Sequence, residues 1–102
     1  MRRRQKNVFA KGLQKSVYLL RHSGFIGPTQ FPKLFGPVIV IFEKVKKRGK
    51  GMVEVPRFLV LIGIRDTFNP RRLWLKFDSR GQSVFISPDQ KDWISITKFR
   101  NF

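Results

Sequence analysis

Cysteine is absent from the 102 residues, and histidine occurs once. A disulfide and a thiolate-ligated metal centre are thereby excluded, as is any site that needs two imidazoles. Acid is scarce too: 6 Asp and Glu stand against 22 Lys and Arg, a formal net charge of +16. Long hydrophobic runs are missing. The longest, Phe58 to Ile64 counting Gly63, falls far short of the roughly 20 residues that span a bilayer, so no transmembrane segment is expected. The chain has neither a Gly-Lys-Ser/Thr phosphate loop nor a paired-glycine dinucleotide fingerprint. Gly49 and Gly51 belong to a basic turn, KRGKG, and read as hairpin glycines.

The six acids do not assemble a catalytic site. Glu43, Glu54, Asp66, Asp78, Asp89 and Asp92 are scattered, mostly in expected turns or at strand ends, where Asp is ordinary turn chemistry. A metal-dependent nuclease clusters its carboxylates to hold its ions. Asp89 and Asp92 are close enough to share a cation, but a solvated turn is the simpler reading. His22 stands where a helix is expected to end, and there a cation complements the helix dipole. No enzyme activity, catalytic residue, cofactor, metal or small-molecule substrate is therefore expected.

What is present is charge combined with large apolar side chains. At 41% hydrophobic, with 11 Phe and 2 Trp, the chain is more than a disordered basic tail. A surplus of this size opposes compaction unless a polyanion neutralises it, so RNA, DNA or an anionic membrane is implied. The surplus is uneven: residues 1–42 carry eight Lys and Arg and no acid. An Arg-rich, acid-free amino terminus also resembles a mitochondrial transit peptide. The segment is nevertheless expected to belong to the mature protein.

Hydrophobic spacing predicts one helix followed by strands. Residues 1–6 (MRRRQK) read as an extended basic arm, and residues 7–102 as a single small domain. Residues 7–22 read as a helix, because Phe9, Leu13, Val17 and Leu20 recur on one face; Gly12 weakens it and Gly24 is placed to cap it. Residues 24–37 hold three Gly and three Pro and read as a loop pressed onto an apolar surface. Residues 38–46 read as a central strand because their start is continuously apolar. Strands are further expected at 57–64, with Pro56 at the strand's beginning or at an edge, and at 72–78, 83–87 and 93–99. In 72–78, Leu73, Leu75 and Phe77 alternate with Arg72, Trp74 and Lys76. The expected class is α+β: one amino-terminal amphipathic helix packed on a small antiparallel sheet of about five strands, with a basic arm and a basic hairpin.

The candidate binding residues are the clustered cations. Arg2, Arg3, Arg4 and Lys6 suit a phosphate backbone, with Arg forking onto phosphate oxygens. Lys11 and Lys15 lie off the apolar stripe of the helix. Lys44, Lys46, Lys47, Arg48 and Lys50 form a basic hairpin end fit for a groove between RNA helices; the plain alternative is a soluble, edge-protecting tip. Arg71 and Arg72 follow a Pro turn beside Trp74, which either packs, the simpler case, or stacks on a base.

This constellation suits a structural protein of a ribosome, held by phosphate contacts to rRNA and by apolar contacts to neighbouring ribosomal proteins. The combination of basic charge with many Phe resembles a mitochondrial ribosomal protein, which implies a place in the matrix. Residues Leu19 to Ile26 (LLRHSGFI) resemble a helix end in the eighth protein family of the small ribosomal subunit. Arg71 to Phe77 (RRLWLKF) resembles the strand that follows it in mitochondrial members, and Ile94 to Lys98 falls where that family's amino-terminal half ends. The resemblance covers about 20 residues; the family's carboxy-terminal half has no counterpart, nor does segment 27–70. No functional residue is carried over from it. The alternative is an accessory subunit of an organellar inner-membrane complex, bound to anionic lipid through the basic arm and to a partner through the Phe-rich loop.

Overall fold

The computed structural model describes residues 2–64 and 71–96, with side chains described from Phe9 onward. Helix α1 (Arg2–His22) is followed by strands β1 (Lys33–Leu34), β2 (Ile39–Lys47), β3 (Gly51–Ile64), β4 (Arg71–Phe77), β5 (Val84–Ser87) and β6 (Ile94–Ile96). Every pairing is antiparallel. The strands run β3-β4-β5-β6 as a meander, with β1 and β2 sharing the remaining side of β3. The α+β class is as the sequence implies, with six strands among the described residues where about five are expected.

Helix α1 starts earlier than the apolar stripe suggests. Residues 2–6 continue it rather than forming an extended arm. No Gly or Pro separates Arg4 from Phe9, and Arg, Gln and Lys are good helix formers. The helix ends as expected: Gly24 adopts φ +82°, its N–H donates to Arg21 C=O at 3.0 Å, and the Phe25 N–H donates to Leu20 C=O at 3.0 Å. Those two bonds close a Schellman motif that satisfies otherwise orphaned carbonyls.

The buried face of α1 centres on Gly12, Ser16 and Leu20, with Phe9, Leu13 and Val17 flanking it. Small residues at the centre let the helix lie close to the sheet. A Cβ on Gly12 would sit 2.7 Å from the Asp78 carbonyl oxygen and 3.1 Å from two ring carbons of Phe77. Ser16 is fully buried and donates its hydroxyl to Gly12 C=O at 2.7 Å, so its burial leaves no unpaired group. Against this face pack Val60, Ile62 and Ile64 of β3, Leu73, Leu75 and Phe77 of β4, Val84 and Ile86 of β5, and Ile96. Phe9, Phe58 and Phe77 meet with ring centroids 5.4–6.0 Å apart.

Strand β2 is an edge strand, not the central one its apolar start suggests. Among the described residues it pairs only with β3, from Ile39 opposite Leu59 to Lys47 opposite Gly51. A continuous apolar run reports side chains that avoid charge; it does not report a neighbour on each side. Ile39, Val40 and Phe42 are accordingly exposed. Strand β3 is longer than expected because residues 51–56 pair with β2 alone; pairing with β4 begins only at Phe58. Pro56 therefore lies where β3 has one neighbour, consistent with its missing N–H.

The short β1 falls inside the expected loop. Between β1 and β2, Phe35 to Val38 face only Val60 and Leu61, so the edge bulges at Gly36 and Pro37. Phe35 stays anchored: its N–H donates to Leu61 C=O at 2.8 Å, and its ring covers Gly63, where a Cβ would meet ring carbon Cε2 at 2.3 Å. Of the loop's other apolar residues, Phe25 and Ile26 pack on this chain's own core, whereas Phe31 is 77% exposed.

Candidate nucleic-acid interface

Because β3 pairs with β4 only from Phe58 onward, residues 41–47 and 51–57 form a two-stranded ribbon that projects past the sheet, at about 3.3 Å per residue. Its end is a β-turn closed by the Lys50 N–H on Lys47 C=O at 3.0 Å. Gly49 takes φ +75° at the turn's third position, where other side chains are strained. Lys44, Lys46, Lys47, Arg48 and Lys50 are all exposed on this ribbon; of its two acids, Glu54 stands opposite Lys44 and Glu43 pairs with Arg57 and Lys76. The ribbon also exposes Phe42 (66%) and Met52 (61%) on the side that carries Lys44 and Lys46.

Lys11 and Lys15 are exposed on α1 as expected. Arg2, Arg3, Arg4 and Lys6 lie on the same helix, and their side chains are outside the described residues. Arg71 and Arg72, adjacent in sequence, part company in the strand. Alternation sends Arg71 to the helix side, 5.4 Å above the Phe25 ring, and Arg72 to the opposite side, 4.5 Å above Phe35.

That opposite side is where the structure adds residues. No described element covers it. Arg57, Arg72 and Lys76 stand there among Phe35, Trp74, Phe85 and Trp93. Lys76 is nearly buried, with its ammonium 4.2 Å from the Trp93 ring centroid and 5.1 Å from that of Phe85. It also donates to Glu43, which ion-pairs Arg57 Nε at 3.3 Å. That Nε is buried and has no hydrogen-bond partner. Two cations thus share one carboxylate, leaving one positive charge in excess within a largely apolar, aromatic setting. Trp74 is half-buried, opposite Leu61 and Ser87.

Arg57 and Lys76 were not among the candidate residues. In the sequence Lys76 is one cation of an alternating strand, and its partner Glu43 is 33 residues away. The alternation that sets Lys76 with Arg72 and Trp74 on one face was the only available signal.

The remaining polar turns are structural. The Asp89 carboxylate accepts the N–H groups of Lys91 (2.8 Å) and Asp92 (3.0 Å) and the Ser87 hydroxyl (3.0 Å). The backbone bonds from Asp92 and then Lys91 favour the charged carboxylate and hold its pKa below the ordinary value of 3.8. Asp78 accepts the N–H groups of Arg80 and Gln82, at 3.2 and 2.8 Å. Among the described residues no group of three or more His, Asp or Glu is placed to hold a metal ion. No described helix is long and apolar enough to cross a membrane. Comparison of the chain with protein-family models, curated proteins and solved structures finds no match.

Proposed function

We propose that this protein is a structural component of a ribosome, mitochondrial in type, that binds rRNA through phosphate contacts and packs on neighbouring ribosomal proteins. The observation that carries the reading is the projecting ribbon: five exposed cations on a two-stranded arm that holds two acids, Glu43 and Glu54, backed by a body whose net charge is of the same sign. An arm of this kind reaches into a groove between RNA helices, where phosphates crowd from two sides. Its cations fix position without reading sequence. The exposed Phe42 and Met52 on the ribbon and Phe31 on the loop suit protein neighbours, since apolar side chains gain nothing from phosphate. The likeness of residues 19–26 and 71–77 to the eighth small-subunit protein family points the same way.

The test is salt-dependent binding to total ribosomal RNA beside a DNA duplex of matched length and anionic vesicles. The reading expects RNA preference and a steep salt slope, corresponding to roughly five or more phosphates at about 0.7–0.9 per contact. It also expects co-sedimentation with ribosomal particles that RNase abolishes. Equal binding to all three polyanions refutes it. Vesicle preference replaces it with the accessory-subunit reading, in which the exposed aromatic residues face a membrane complex.

A further inference from the structure

Between the carboxy-terminal half of α1 and the β4–β5 turn lies a cavity of about 620 Å³, open to solvent. This is within the size range of small-ligand sites. Its walls are Lys15, Tyr18, Leu19 and His22 from the helix, and Arg80 and Gln82 from the turn. No acid lines it, and among the described residues no carboxylate pairs with Lys15 or Arg80. Tyr18 is 57% exposed and its ring is positioned: its hydroxyl and His22 Nε2 are 2.8 Å apart, and the two rings meet edge-on at 4.5 Å.

The walls are set by the fold. Gly81, at φ +68°, lies so close to the helix that a Cβ on it would fall 2.4 Å from Lys15 Cβ and 3.2 Å from Gly12 C=O. Asp78 holds the turn by accepting the N–H groups of Arg80 and Gln82 on Oδ1, and it forms no ion pair with the Arg80 guanidinium. The site thus combines a positioned aromatic ring, an apolar floor at Leu19 and two cations that pair with no carboxylate among the described residues.

We infer that this cavity receives one unpaired nucleotide of RNA, with its base against Tyr18 and Leu19 and its phosphate between Lys15 and Arg80. The inference rests on the RNA-binding reading and adds to it a contact that phosphate attraction alone does not provide. Base stacking on an aromatic ring tolerates any base, so the site selects single-stranded character rather than sequence. The strand has a track to follow. Lys11, Lys15, Tyr18 and His22 succeed one another at steps of four, three and four, making one exposed line about 16 Å long on the helix.

The test uses the full-length, isotope-labelled protein and amide NMR. The probes are AMP, adenosine, inorganic phosphate and the single-stranded tetranucleotide of adenylate. Shifts confined to residues 15–22 and 80–82 are expected with AMP, and adenosine or phosphate alone binds about tenfold or more weakly. The tetranucleotide binds at least about fivefold tighter than AMP, because flanking phosphates reach Lys11. Tyr18→Leu weakens it by at least about fivefold, the low end of base–aromatic stacking. Arg80→Gln, a second exposed position, weakens it without a change in Tm. Inorganic phosphate binding as well as AMP overturns the inference, as does AMP matching the tetranucleotide, which marks a free-nucleotide pocket. Shifts scattered over all exposed cations overturn it too. Ribosomal RNA binding is measured in parallel. RNA preference retained with no shifts at the cavity sinks this inference alone. Cavity shifts with the tetranucleotide, without preference for ribosomal RNA, support the cavity and sink the ribosomal reading.

Discussion

Replacing Gly12 by Ala sets two effects of similar size against each other. In an isolated helix the change stabilises by about 1 kcal/mol, because Gly has more backbone freedom to lose. In this protein the new Cβ would fall 2.7 Å from the Asp78 carbonyl oxygen and 3.1 Å from two carbons of the Phe77 ring. The first neighbour is backbone, at the start of a turn tied by the Asp78 N–H to Ser83 C=O at 3.2 Å. The second is a fully buried ring. Neither gives way cheaply, so α1 must move outward by roughly half an ångström along a face that includes the fully buried Ser16 and Leu20. Overpacking of this kind costs about 1–3 kcal/mol. The net expectation is a loss of up to about 2 kcal/mol, or a Tm lower by up to about 8–16 °C in a domain of this size. Urea denaturation with an unchanged m-value reads it. Gln14→Ala, at an exposed position on the same helix, is the control and changes stability by less than about 0.5 kcal/mol. A Gly12→Ala protein that melts higher than wild type would mean that helix propensity governs here and that α1 does not lie this close to β4.

Three further outcomes follow from the geometry. Glu43→Gln leaves Arg57 and Lys76 without their shared carboxylate and costs about 1–3 kcal/mol by chemical denaturation. That is less than the roughly 3–5 of a fully buried pair, because Glu43 is 29% exposed; adding Lys76→Met to that variant recovers part of the loss, and no loss in the single variant refutes the network. Changing Lys46, Lys47 and Lys50 together to Gln lowers the slope of log K against log salt for rRNA by about 2–3 and leaves Tm within about 1 °C, whereas an unchanged slope removes the ribbon from the interface. Asp89 is a better acid folded than unfolded, so its contribution to stability is present above its ordinary value of 3.8 and disappears as pH falls through its lower folded value. The Tm gap between wild type and Asp89→Ala should therefore be widest near neutrality and shrink below about pH 4; a gap that does not change with pH shows that the carboxylate's charge is irrelevant to the turn.

The arrangement ties function to an asymmetry of the sheet. One face is closed by α1 and carries the core. The other face and the projecting ribbon hold cations, among them an excess positive charge placed beside Phe85 and Trp93. The second face carries no helix among the described residues; Leu59, Lys76 and Ser87 are nonetheless buried there, and its aromatic residues Phe35, Trp74, Phe85 and Trp93 are half-buried.

Much of this follows from local pattern. Apolar residues at steps of four, four and three mark α1, Gly24 marks its end, alternation in 72–78 assigns the two faces of β4, and KRGKG marks a hairpin end. The charge surplus, and the need for a polyanion that it creates, is composition alone. Tertiary structure decided the rest. It placed β2 at an edge although its first four residues are as apolar as those of an interior strand, because pairing depends on which strands are adjacent and not on one strand's own pattern. It separated Arg71 from Arg72, since one step along a strand reverses the face. It gave Gly12 and Gly81 a purpose, because the distance from helix to turn involves two segments about 70 residues apart. It also assembled Glu43, Arg57 and Lys76 from three strands. Local periodicity reports which way a side chain points; only the folded chain determines what stands opposite it.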